Sequence, residues 1–337
     1  VSDYFSGILL LNENQYDKSY SFLRKLNGLE TSHSDYSVKY LYSLVNSKKF
    51  KEAFNYSRRL EKQKLDNFES DLITGIFYLK NSNTLLAKRY FLKAKTRKSR
   101  FILNNYVSNS LYLWSSINDF DLSKSLNQLD KVDARFESLK KIQTVFLNCY
   151  FNSPKTKNLF KNLISDKKTD FSRYNYFYAS YLFDFGSIDE AKDVINSALK
   201  IYPRNLLLNQ YKLDLNKSTN KQSFNCKNAG HTVAEILYIT ANALSSQSIY
   251  SLSNFYLNLA KYLNEDFNSY ETLVAENLYK INNYDEAKKI YNNLNKKGKA
   301  FQWYSSKQLA RIYLKEDDQD KALDLMSNAY NNLSQKD

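Results

Sequence analysis

Apolar residues in this chain recur at intervals of three and four, not two. The segment from Ser70, SDLITGIFYLKNSNTLLAKRYFLKAKT, carries two such runs separated by the polar stretch NSN. YNYFYASYLFDFGSIDEAKDVINSALKIYPRN from Tyr174 and SSKQLARIYLKEDDQDKALDLMSNAY from Ser305 repeat the arrangement. Spacing of i, i+3, i+4, i+7 puts the apolar side chains on one face of a helix. No segment sustains period-two alternation between turn residues, so the pattern predicts helices throughout and no strand of three or more residues.

A ladder of small and bulky residues runs through these segments. Gly75, Ala179 and Ala310 stand in the first helix, each followed three residues later by Tyr78, Leu182 or Tyr313. Twelve positions after the small residue comes Ala87, Ala191 or Ala322, then Phe91, Ile195 or Met326, then Ala94, Ala198 or Ala329. Small residues are required where antiparallel helices cross closely, because a larger side chain would separate the backbones. The small residue of the second helix recurs at Ser19, Ala53 and Ala87, spaced 34 and 34, and at Ser253, Ala287 and Ala322, spaced 34 and 35.

This ladder resembles that of the tetratricopeptide repeat (TPR), a 34-residue helix-turn-helix unit. Pro203 falls at its terminal position in the sixth unit. The layout is similar to bacterial TPR proteins of unassigned role. The resemblance implies an all-α, right-handed solenoid of antiparallel helix pairs, whose concave face is lined by first helices and holds a peptide or partner helix. Matches are good at 70–99, 172–203, 268–297 and 303–332; the units at 101–130 and 135–165 fit by period and length only. The expected organisation is an N-terminal array over 1–203, a lone helix and polar loop over 204–231, and a C-terminal array over 232–337.

Length and composition agree with that reading. The 337 residues hold six Gly and two Pro, too few for the turns of a sheet-rich fold or for a phosphate-binding glycine loop. The stretch Phe101–Asn118 is uncharged and imitates a membrane span, but eight Asn and Ser side chains within it are too many for hydrocarbon and predict a soluble helix. The first helix starts within two or three residues of Val1, with Ser2 its one available cap, which points to a leader or earlier repeat ahead of this sequence. The cytoplasm is the default compartment, and export the alternative if a leader precedes Val1.

Chemistry-bearing residues are sparse. Cys149 and Cys226 stand 77 positions apart, and His33 and His231 are the only histidines, which excludes a disulfide framework and a metal-ligand set by number. The surroundings of neither histidine suggest a triad, and there is no helical His pair for zinc, so no enzyme and no cofactor is expected. The acid pairs Asp189 and Glu190, and Asp285 and Glu286, begin second helices, where they complement the helix dipole.

Two groups of residues are candidates for binding. First-helix positions facing the implied groove in the C-terminal array are Tyr238, Asn242, Glu276, Tyr279, Tyr304, Lys307, Arg311 and Lys315. Lys307, Arg311 and Lys315 form a stripe at intervals of four, suited to the carboxylates of an acidic peptide. The carboxylate clamp known in the family is not matched, since Tyr238 and Leu273 occupy two of its places. The second group is a basic cluster, Lys88, Arg89, Lys93, Lys95, Arg97, Lys98 and Arg100, in the third of the chain that holds most of the net charge of +14. With Tyr90 and Phe91 interleaved it fits RNA or an anionic surface, although Phe91 sits on the packing ladder. The expected function is therefore a non-enzymatic protein-interaction scaffold, with a basic RNA-binding helical repeat as the alternative.

Overall fold

The computed structural model describes residues 2–97, 102–216 and 222–331. Among them there is no strand, and the helices follow in the expected pairs. These are α1 (Ser2–Asn12) with α2 (Tyr16–Leu23), α3 (Ser34–Asn46) with α4 (Phe50–Lys62), α5 (Phe68–Lys80) with α6 (Thr84–Thr96), and α7 (Ile102–Ser115) with α8 (Leu122–Asp130). Then come α9 (Glu137–Tyr150) with α10 (Thr156–Ile164), α11 (Tyr174–Asp184) with α12 (Ile188–Ile201), and the lone α13 (Leu206–Leu215). The last three pairs are α14 (Ala229–Ser246) with α15 (Tyr250–Leu263), α16 (Ser269–Lys280) with α17 (Tyr284–Leu294), and α18 (Lys299–Lys315) with α19 (Gln319–Asn331).

The 34-residue period has a backbone counterpart that hydropathy does not display. Asn14, Lys48, Ser82, Gly186, Ser248, Asn282 and Asp317 all have positive φ, between 56° and 77°. Each ends a first helix and stands five positions before the small residue of the second, at Ser19, Ala53, Ala87, Ala191, Ser253, Ala287 and Ala322. The next N–H reaches back to close the helix end: Asn83 to the Tyr78 carbonyl, Ser187 to Leu182 and Asn283 to Leu278, each at 2.9 Å. This left-handed stop satisfies carbonyls that would otherwise lack a donor. Only Gly186 among the seven is glycine, so the turns rest mainly on Asn, Ser, Asp and Lys.

All seven small residues are buried, as is Phe91. A Cβ on Gly75 would lie 2.4 Å from the Phe91 ring, so the α5–α6 crossing is closer than alanine permits. Where the small residue is serine, its hydroxyl finds a carbonyl across the crossing: Ser19 Oγ donates to Gly7 O at 2.7 Å and Ser253 Oγ to Ala241 O at 2.8 Å.

The helices group into two compact units, and the grouping does not follow the expected seam. The first comprises residues 1–156 and 226–265, the second 157–225 and 266–337. In the first unit successive helices from α1 to α9 stack, and the hairpin α14–α15 packs against α3, α5 and α7. This explains a difference between the helices of each pair. Second helices bury one stripe, as in α4 with Ala53, Tyr56, Ser57 and Leu60, whereas α5 buries Leu72, Ile73, Thr74, Gly75, Ile76 and Leu79 around most of its circumference. The uncharged α7 is buried likewise, with Tyr106, Val107, Leu111, Leu113 and Trp114 enclosed. No helix among the described residues is long and apolar enough to cross a membrane.

Cys149 and Cys226 form a disulfide within the first unit, a pairing their separation in sequence did not disclose. Asn228 caps α14, its Oδ1 accepting from Gly230 N at 2.9 Å, so the helix starts earlier than expected and Gly230 lies in its first turn. In the second unit α11, α12 and α13 pack together, α13 also meets α18, and α16 to α19 stack in order.

Candidate interaction surfaces

The C-terminal candidates divide between the units. Tyr238 and Asn242 lie on α14 in the first unit, while the other six lie on α16 and α18 in the second. Four of those six are brought into contact. Tyr304 Oη donates to Glu276 Oε1 at 2.5 Å, and the Arg311 guanidinium lies over the Tyr279 ring, 5.1 Å from its centre. Tyr304 also meets Tyr291 of α17 edge-on at 6.1 Å. Burial, and next the Glu276 carboxylate, push the Tyr304 phenol far above its ordinary range, so it stays a neutral donor.

Lys307, Arg311 and Lys315 are exposed along α18. Arg311 Nη1 donates to Gln308 Oε1 at 3.1 Å, and the Lys307 ammonium stands 5.7 Å from the Trp303 ring centre. Trp303 and Gln308 escaped the sequence reading; their signal was the spacing of four and three residues from Lys307 and Arg311. The result is a surface of aromatic rings with cations held above them, a geometry worth roughly 0.5 to 1 kcal/mol per exposed cation–ring pair.

The basic cluster looks different in three dimensions. Lys93 Nζ pairs with Asp66 at 2.8 Å, Glu61 at 3.2 Å and Asp71 at 3.6 Å. Arg97 Nε pairs with Asp71 at 2.6 Å, and its Nη2 with Asp66. Lys88 pairs with Asp119 at 2.7 Å, and Lys95 lies 4.7 Å from the Tyr112 ring centre. Arg89 is exposed, while Lys98 and Arg100 lie outside the described residues. The neighbouring acids hold Lys93 and Arg97 above their ordinary values against the opposing effect of burial. A one-dimensional charge count over residues 88–100 misses this because the acids lie elsewhere in the chain: Asp71 on α5, the helix paired with α6, Asp66 just ahead of α5, Glu61 on α4 and Asp119 after α7.

His33, His231 and the acid pairs all lie at helix starts. His33 precedes α3, its ring 4.9 Å from that of Tyr4. Asp189 and Glu190 open α12, and Asp285 and Glu286 open α17. Among the described residues no three His, Cys, Asp or Glu side chains converge as a metal site. The second unit holds a cavity of about 220 Å³ lined by Tyr176, Gln210, Tyr211, Asp214, Phe267 and Phe301, among others. Gln210 forms part of its wall: Nε2 donates to Asp214 Oδ1 at 2.9 Å and Oε1 accepts from Ala300 N at 3.1 Å.

No protein-family model and no curated protein matches the chain. Solved structures similar to it include the TPR domain of P58(IPK), at 14% identity over 99% of this chain and 93% of that one, with a TM-score of 0.27. A monomeric IFIT1 mutant with Gppp-AAAA matches at 12% identity over 98% and 89%, TM-score 0.30. The APC/C hetero-tetramer Cut9-Hcn1 matches at 12% over 97% and 79%, TM-score 0.32. At these TM-scores the likeness adds nothing to the helix pairing read from the chain itself. The chain is TPR-like in its all-α helix pairs and its 34-residue period.

Proposed function

We propose that this TPR-like chain is a non-enzymatic interaction scaffold that holds an acidic or amphipathic peptide against α16 and α18. The observation that carries this reading is the Arg311 guanidinium stacked over Tyr279, beside Tyr304 anchored on Glu276. Rigid aromatic surface supplies contact area at little entropic cost, and a forked cation supplies paired hydrogen bonds to carboxylates. Lys307 and Lys315 extend the cationic stripe by one turn on either side of Arg311.

The test is capture of binding partners from a lysate by the intact chain, followed by titration of the captured peptide. Reversing the charge of Lys307 and Arg311 together weakens binding at least tenfold, about 1.4 kcal/mol, with a larger effect at low salt. The same reversal at Lys88 and Arg89 leaves it nearly unchanged. If only the latter pair matters, the binding surface is the basic N-terminal third. The pairing of Lys88, Lys93 and Arg97 with carboxylates counts against that alternative.

A further inference from the structure

The first unit is made of two pieces of chain that are far apart in sequence. Residues 1–156 form its body, and the hairpin of residues 226–265 completes it after the chain has passed through the second unit. Both ends of the hairpin run into second-unit residues, at 225 and at 266. The peptide bond between 156 and 157 is therefore the one main-chain connection between the body and everything that follows. Cys149–Cys226 is the other covalent link.

The hairpin sits where the resemblance to the TPR family places a partner helix, against the first helices α3, α5 and α7. Its seat is specific. Asn258 Nδ2 donates to Asn46 Oδ1 at 3.0 Å, and Asn254 Nδ2 to Tyr16 Oη at 2.7 Å. The Phe255 ring lies 4.8 Å from Tyr42, and Tyr262 stacks on Phe50 at 4.3 Å. The helix α14 is itself buried around most of its circumference, so a hairpin out of its seat exposes a large apolar surface and must find a groove. Every copy of the chain carries both the groove and the hairpin that fits it.

We propose that this groove is an exchangeable interface, and that reducing Cys149–Cys226 lets the hairpin α14–α15 swap between two copies of the chain, each seating in the other's groove. The inference does not depend on the peptide surface of α16 and α18. In the disulfide form the bond fastens each hairpin to its own body. A dithiol reductant opens it: one thiolate attacks either sulfur, the S–S bond breaks, and the reagent's second thiol closes its own disulfide. Two electrons and two protons thereby pass to Cys149 and Cys226, which become thiols. The body and hairpin are then joined through one main-chain connection and a non-covalent interface, the condition under which identical elements exchange.

The experiment mixes equal amounts of ¹⁴N- and ¹⁵N-labelled chain, reduces with a dithiol, reoxidises at protein concentrations up to about 1 mM, the scale of intramolecular effective concentrations, and identifies disulfide-linked peptides by mass spectrometry. Circular dichroism follows the helix content of the reduced chain. The expected result is a retained helical spectrum and mixed-label Cys149–Cys226 linkages. These should be absent from the never-reduced mixture and rise with concentration toward about one half of all linkages at complete exchange. Absence of mixed linkages at every concentration overturns the proposal. So do Cys149–Cys149 and Cys226–Cys226 linkages in random proportion, which mark collisions of unfolded chains, and so does loss of helix on reduction, which removes the receiving groove.

Discussion

Cys149, in the last turn of α9, is bonded to Cys226, three residues ahead of α14, with their Cα atoms 6.1 Å apart. The bond encloses a stretch with a sequence separation of 77 and holds together the two pieces of the first unit. Lys227 reinforces the junction, its ammonium donating to Tyr150 O at 2.7 Å and to Asn152 Oδ1.

Removing the bond therefore destabilises the first unit in particular. For a loop of this size the chain-entropy model gives about 4 to 5 kcal/mol, and measured losses for native disulfides run about 2 to 5 kcal/mol. Cys149→Ser is expected to lie in that range. Hydrogen exchange should show accelerated opening of α15 and α3 with α18 little changed; uniform acceleration along the chain would contradict the division.

The crossing of α5 and α6 tolerates no Cβ at Gly75. Gly75→Ala forces the Phe91 ring to shift, and Ala87→Leu overfills the same crossing, each at a cost of about 1 to 3 kcal/mol. Phe91→Leu in the Gly75→Ala background recovers part of the loss, a coupling that a double-mutant cycle by urea denaturation measures. Because each repeat is stabilised by its neighbours, exchange protection falls first in α4 and α7.

Left-handed turns offer the opposite sign. Ser82 has φ of 59°, a region that costs an L-residue about 1 to 2 kcal/mol and glycine nothing. Ser82→Gly is expected to stabilise by about 0.5 to 1 kcal/mol after the extra entropy of the unfolded chain is counted. Ser82→Val, with a branched Cβ, destabilises. Thermal unfolding of the two variants orders them on either side of the parent.

The Lys93–Arg97 cluster makes stability depend on acid. Burial raises the Glu61 and Asp66 carboxyls, but the hydrogen bonds and charges of Arg58 and Lys93, and of Lys93 and Arg97, outweigh it and hold both below their ordinary values. Their contribution is complete above the unfolded-state values, near pH 4, and is lost as pH falls through the lower folded values. Asp71 opposes this, because burial raises its carboxyl despite Arg97. Asp66→Asn is expected to flatten the loss of stability between about pH 5 and 2 in a denaturation series.

Much of the fold was legible because helix period, small-residue ladder and turn are local. The positions of Ala87 and Ala191 follow from spacing alone, and both are fully buried. Binding chemistry was legible in part. Tyr279, Tyr304 and Arg311 share a face because they recur on first helices of neighbouring repeats, whereas Tyr238 and Asn242, chosen by the same rule, belong to the other unit. The pairing of the basic cluster was not legible, because its acidic partners stand outside residues 88–100: Asp71 on the paired helix α5 and Asp66 just ahead of it.

Amino-acid sequence by itself determined that this chain forms paired helices, where each pair turns, and which side chains lie at the crossings. It did so because a helix satisfies its own backbone and its nearest partner is a few residues away. Only the tertiary structure decided what covers the second face of α3, α5 and α7. The uncharged sequence of α7 announces burial without naming the partner. That partner is the hairpin that starts at Ala229, and the choice depends on side-chain complementarity such as Asn46 with Asn258, which no local period encodes.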